Sequence, residues 1–135
     1  QFQGVVDLDD ILSSFDASVR ERLTTEIFPR FIAREIWGPS ARFGFMTMSP
    51  GKLYWYASLK AKPGQVFLRP FRKYLIDKFG SSEEKWPFEC FHMIDRTDEQ
   101  SISRNGIYTW SGTGKEIRRL WLPVTCGRTA LIGNA

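Results

Sequence analysis

The sequence predicts an α+β fold: antiparallel hairpins that build one sheet, with about three helices covering one face of it. Two aromatic-rich runs, Arg42 to Met48 and Leu53 to Lys60, alternate in strand fashion and meet at Ser49-Pro50-Gly51, the pattern of a β-hairpin. Upstream, Leu8, Ile11, Leu12, Phe15, Val19, Leu23 and Ile27 recur at helical spacing. With 42% hydrophobic and 15% aromatic residues in a chain of 135, there is enough apolar material for the core of a single domain over 1–135.

Taken in order, Phe2 to Leu8 reads as a short strand, after which Asp9 or Asp10 offers an N-cap. One amphipathic helix is expected from there to near Pro29, with Asp16 and Arg20 paired on its wet face. Asp7, Asp9 and Asp10 lack the glycine and terminal glutamate of a calcium loop, so capping explains them better. Phe31 to Trp37, Arg42 to Met48 and Leu53 to Lys60 are three strands, and Lys62-Pro63-Gly64 ends the last. A second helix starts with Pro70 in its first turn and runs to Phe79, where Gly80 stops it. Its apolar stripe is Phe71, Tyr74, Leu75 and Phe79, and a third helix covers about Trp86 to Arg96. Ser101 to Trp110 and Glu116 to Val124 read as another hairpin, followed by an apolar strand from Arg128 to Ile132. The loop between them, Gly112-Thr113-Gly114-Lys115, resembles a phosphate loop in composition only. It joins strands, and Glu116 follows the lysine where a magnesium-binding hydroxyl would be needed.

Several function classes find little support. The net charge of +4 is dispersed, and a nucleic-acid platform would have only Arg42, Lys52, Tyr54 and Tyr56 to draw on. No apolar run reaches the roughly 20 residues of a membrane span, and no basic-then-apolar leader opens the sequence, so a cytoplasmic protein is expected. Cys90 and Cys126 lie in no CxxC pair and fit two reduced thiols. His92 is the only histidine, too little for a zinc site or a serine-hydrolase triad, so no metal-ligating or catalytic set is assigned.

The central hairpin carries the candidate site. Phe43 and Phe45 share one face of their strand with Leu53, Trp55, Ala57 and Leu59 of the next, an apolar surface for helices to cover. Arg42, Gly44, Met46 and Met48 share the other with Lys52, Tyr54, Tyr56 and Ser58. That second face has what a small planar ligand needs: a guanidinium with fixed donors, tyrosine hydroxyls and ring edges, polarizable sulfur, and a glycine gap. The candidate ligand-binding residues are therefore Arg42, Gly44, Met46, Tyr54 and Tyr56. The alternative is a plain solvent-facing surface, and the turn leaves the pairing register open by one residue.

Gly38-Pro39-Ser40-Ala41-Arg42-Phe43-Gly44 followed by Gly51-Lys52-Leu53-Tyr54-Trp55-Tyr56-Ala57 resembles the "G-x-G-x-R-F-G … G-x-x-Y-W-F-A" phrase of group A FAD-dependent monooxygenases. These are the p-hydroxybenzoate-hydroxylase-like enzymes, in particular their urate hydroxylase and zeaxanthin epoxidase branch. Trp86-Pro87-Phe88 through Thr97-Asp98 is similar to a further helix of that family. Cys126-Gly127-Arg128-Thr129-Ala130-Leu131-Ile132-Gly133-Asn134-Ala135 is similar to its second flavin motif, "G-R-x-x-L-x-G-D-A". The resemblance implies the middle, substrate-binding domain, a mostly antiparallel sheet with helices on one side. It implies that Arg42 and Tyr54 face an aromatic or planar substrate, and that Gly133 and Asn134 stand at the flavin. In such enzymes NAD(P)H reduces FAD, which then uses oxygen to hydroxylate or epoxidise the substrate. The GxGxxG strand-turn-helix and the Asp-Gly motif are absent from this sequence, and Asn134 replaces the flavin-binding aspartate. The expectation is a substrate-binding domain or fragment that binds no FAD tightly and is not catalytically competent alone. Its partner would be the missing FAD-binding domain or a second copy of itself. The competing expectation is a stand-alone small-ligand-binding or homodimerising module without enzymatic activity.

Overall fold

The computed structural model describes residues 1–62, 64–80, 86–106, 125–126 and 129–130. The chain divides into two compact units, Gln1–Asn105 and Gly106–Ala135. In the first, β1 (Phe2–Asp7) leads directly into α1 (Leu8–Leu12) and then α2 (Ala17–Arg22), which continues as a π-helical turn over Leu23–Ile27. β2 (Ala33–Trp37), β3 (Ala41–Ser49) and β4 (Lys52–Leu59) follow, then α3 (Phe71–Phe79) and α4 (Phe88–Arg96). A 3-10 turn (Glu99–Ser101) and the short β5 (Ser103–Arg104) close the unit. The sheet is antiparallel throughout, five strands in the order β2-β3-β4-β1-β5. The α+β fold read from the sequence is the fold observed. In the second unit, β6 (Thr125–Cys126) pairs with β7 (Thr129–Ala130), within the strand expected from Arg128 to Ile132. The loop over 111–115 and most of the hairpin expected around it lie outside the described residues.

The first helix is a correction. Instead of one helix to Pro29 there are three segments, because Asp16 starts a new one. Its Oδ1 accepts from the Val19 N–H at 3.0 Å and from Ser18 Oγ at 2.8 Å, an N-cap in the middle of the periodic run. Those hydrogen bonds, that from Val19 foremost, hold the Asp16 carboxyl below its ordinary range. Arg20 turns its Nε to the Phe15 carbonyl at 2.7 Å instead of pairing with Asp16. The hydroxyls of Thr24 and Thr25 fold back onto the carbonyls of Arg20 and Glu21, where the helix widens into its π turn. The apolar spacing survives the break because Ile11, Leu12, Phe15, Val19, Leu23 and Ile27 all reach the same core.

That core lies on the apolar face of the sheet. Register pairs Phe43 with Ala57 and Phe45 with Trp55, and on the far side of β4 it pairs Phe2 with Ala57 and Val6 with Leu53. Leu75 and Phe79 of α3 and Cys90, Met93 and Ile94 of α4 close over these residues. Trp55 is 0% exposed and stacks on Phe43 at 5.7 Å between ring centres. Its Nε1 donates to Thr97 Oγ1 at 2.8 Å, and the Thr97 hydroxyl in turn donates to the Met93 carbonyl at 2.6 Å, so neither buried polar group is stranded. Gly4 exists for this indole: a Cβ there would stand 2.9 Å from Trp55 Cζ2.

α3 begins after Pro70, which supplies no side-chain cap. Glu99 caps it instead, accepting from the Phe71 and Arg72 N–H groups at 2.8 and 2.9 Å and from Arg69 Nη1 at 3.1 Å. Burial works to raise the Glu99 pKa, but these N–H groups and the Arg69 charge outweigh it and hold the carboxyl below its ordinary range. A group lowered on folding stabilises above its unfolded-state pKa, and that contribution is lost as pH falls through the folded value. Glu99→Ala is expected to cost about 2 kcal/mol at neutral pH, the scale of charge-assisted hydrogen bonds. Urea unfolding at neutral and acidic pH should show the difference from the parent shrinking in acid. A difference that persists unchanged in acid would rule out this role for the carboxylate.

Candidate functional site

Among the described residues nothing covers the opposite face of the sheet, and its residues fall into rows that cross the strands. Register places Ala33, Met46, Tyr54 and Val5 in one row and Glu35, Gly44, Tyr56 and Gln3 in the next. Trp37, Arg42 and Ser58 form the third. The register left open by the turn is thus settled, and a bulge between Thr47 and Ser49 absorbs the irregularity at the hairpin tip. Arg42, Gly44, Met46, Tyr54 and Tyr56 all share this face.

Gly44 has a specific use. The Tyr56 ring lies across it, and a Cβ at Gly44 would fall inside that ring's van der Waals envelope. The gap that the sequence offered to a ligand is therefore filled by Tyr56, which uses it to cross β3 and reach β2. There its hydroxyl donates to Glu35 Oε1 at 2.7 Å. Trp37 Nε1 donates to Glu35 Oε2, also at 2.7 Å. Arg42 lies over the Trp37 ring, 4.8 Å from its centre, with Nη1 3.7 Å from Glu35 Oε1. Tyr54 donates to Gln3 Oε1 at 3.1 Å, and its ring leans toward Tyr56 with centres 6.3 Å apart. Met46 is 43% exposed beside them. Between Ala33, Glu35, Met46, Tyr54 and Tyr56 lies a hollow of about 130 Å³.

Glu35 and Trp37 belong to this candidate site, and sequence reasoning missed them. The signal was present: Ala33, Glu35 and Trp37 share one parity on β2, so once β2 pairs with β3 they stand beside Arg42, Gly44 and Met46. The Tyr56 hydrogen bond, followed by those from Trp37 and the Arg42 charge, keeps the Glu35 carboxyl below its ordinary range against a smaller opposing effect of burial. Burial and then the bond to Glu35 push the Tyr56 hydroxyl up to about 12. Near neutral pH the pair is a carboxylate accepting from a protonated phenol.

His92 and Cys90 lie on α4, on the other side of the sheet. His92 is ringed by Phe15, Phe88 and Phe91 at 5.1 to 5.9 Å, and its Nδ1 is buried without a hydrogen-bond partner. Burial lowers its pKa and raises that of the neighbouring Cys90 thiol, which leaves both groups uncharged at neutral pH. Gly133 and Asn134, the residues assigned to flavin, lie outside the described residues. Among the described residues, no helix is long and apolar enough to cross a membrane.

Fold and face together define an α+β module with one side closed by helices and the other, among the described residues, uncovered and lined with rings. Over 101 residues, 75% of this chain, the sequence is 30% identical to the aurachin C monooxygenase/isomerase of Stigmatella aurantiaca. The chain is distantly related to that monooxygenase, and the aligned part spans 23% of its length. No family model matches the chain, and no solved structure matches it.

Proposed function

We propose that this chain is the substrate-binding part of an FAD-dependent aromatic hydroxylase or epoxidase, with the open face as one wall of the substrate pocket. The observation that carries this reading is the hollow lined by Met46, Tyr54, Tyr56 and Glu35. Its volume of about 130 Å³ falls below the roughly 300–1,000 Å³ of sites that enclose a small molecule. It is a half-site, and a second body must supply the other half. The FAD-binding part of the same kind of enzyme is the body this reading favours. FAD would supply the oxygen chemistry, while Tyr54, Tyr56 and Met46 lie against the ring and Arg42 and Glu35 fix its polar edge. In this reading the grip on the cofactor's diphosphate belongs to the FAD-binding part.

The reading is tested by titrating the purified chain with planar aromatic ligands and with FAD, following fluorescence and melting temperature together. Aromatic ligands are expected to saturate weakly and FAD is not. Arg42→Ala should weaken every ligand that binds the parent by several-fold or more, the scale of one lost cation–π or hydrogen-bonding partner at a partly exposed site. Unchanged affinity for all of them would remove Arg42 from the site. Saturable FAD binding would give this chain a flavin site of its own and overturn the division of labour.

A further inference from the structure

We infer that Glu35 sets the charge of the ligand: the face selects an uncharged planar ring with an O–H or N–H donor at its edge, and rejects rings bearing a carboxylate. This rests on reading the face as one wall of a ring-binding pocket. A guanidinium beside aromatic rings would by itself invite an anion, but Arg42 is already faced by the Glu35 carboxylate at 3.7 Å. Among the described residues, Lys52 of this face is held by Asp7 at 2.6 Å, and Arg34, which also lines the hollow, turns its guanidinium to the Glu26 carbonyl. Glu35 with Arg42 and Asp7 with Lys52 thus cancel in pairs. Glu35 borders the hollow itself. Its two oxygens take one hydrogen bond each, from Tyr56 and Trp37, so each keeps a lone pair free to accept from a ligand. The hydroxyls of Tyr54 and Tyr56 both donate elsewhere, to Gln3 and Glu35. The hollow thus presents an acceptor at Glu35 and, beyond it, the remaining donors of Arg42. A ligand carboxylate placed there would stand against a second carboxylate, and like charges held this close repel even with the Glu35 side chain 32% exposed.

Two probes of the same shape test this: 2-naphthol, neutral with a donor at its edge, and 2-naphthoate. Their dissociation constants would be measured by fluorescence for the parent chain and for Glu35→Gln. The parent is expected to bind naphthol roughly tenfold or more tightly than naphthoate, and Glu35→Gln should remove or reverse that preference by strengthening naphthoate. Melting temperature reports whether the variant is folded, and the comparison of the two probes on the parent needs no variant. Equal or tighter naphthoate binding by the parent overturns the inference and leaves the ring-binding wall standing. A preference that survives Glu35→Gln overturns the assignment to Glu35. If neither probe binds the parent or the variant, the wall falls and the inference with it.

Discussion

Trp55→Ala is expected to destabilise the sheet-bearing unit by about 3–5 kcal/mol, the range for removing a large aromatic from a packed core. A domain of this size has roughly 5–15 kcal/mol of stability in total, so much of the population would unfold under mild denaturant. The indole is the point where β4, β3 and α4 meet. It stacks on Phe43, fills the space above Gly4, and satisfies the buried Thr97 hydroxyl. Trp55→Phe separates packing from hydrogen bonding. The ring against Phe43 remains, Thr97 keeps its bond to the Met93 carbonyl, and the cost should fall to about 1–3 kcal/mol. Chemical denaturation of the three proteins measures both numbers. A Trp55→Ala loss below about 1 kcal/mol would show that the core closes without the indole.

Gly44→Val is expected to act chiefly on the face and little on the fold. Valine suits a strand, which offsets part of its cost, but its Cβ occupies the space where the Tyr56 ring crosses β3. Tyr56 is only half-buried and can swing outward, so the stability loss should stay near 1 kcal/mol. The swing breaks the bond to Glu35 and reshapes the hollow. Affinity for aromatic ligands should fall tenfold or more, about 1.4 kcal/mol or above. The raised Tyr56 ionisation, near 12 in the parent, should drop toward the ordinary value of about 10. Ligand titration and spectrophotometric titration of the tyrosines check the two effects separately. An unmoved tyrosine ionisation would show that Tyr56 does not depend on the gap.

The faces of the central hairpin were legible because strand alternation is a property of the backbone. Phe43, Phe45, Trp55 and Ala57 go inward, while Arg42, Gly44, Tyr54 and Tyr56 go outward, as their spacing requires. The break in the first helix was not legible from periodicity. The apolar residues on both sides of Asp16 still point to one core, and only the bond its side chain takes from the Val19 N–H marks the start of a second helix. Glu35 was hidden for another reason. Its importance comes from β2 lying beside β3 and from a tyrosine that reaches across an intervening strand, a contact that no local pattern encodes. Glu99 as the cap of α3 is the same kind of feature, since it arrives from 28 residues downstream.

The two ends of the sheet-bearing unit are fastened to each other. The Gln1 amino group donates to the Asn105 carbonyl, and the Asn105 N–H donates back to the Gln1 carbonyl, both at 2.8 Å. The first and last residues of this unit therefore stand side by side. Loops within the unit could lengthen or shorten without altering the span offered to whatever flanks it. The fastening also falls on the Arg42 side of the open face, where Ser58 Oγ contacts Gln1 Oε1 at 3.3 Å.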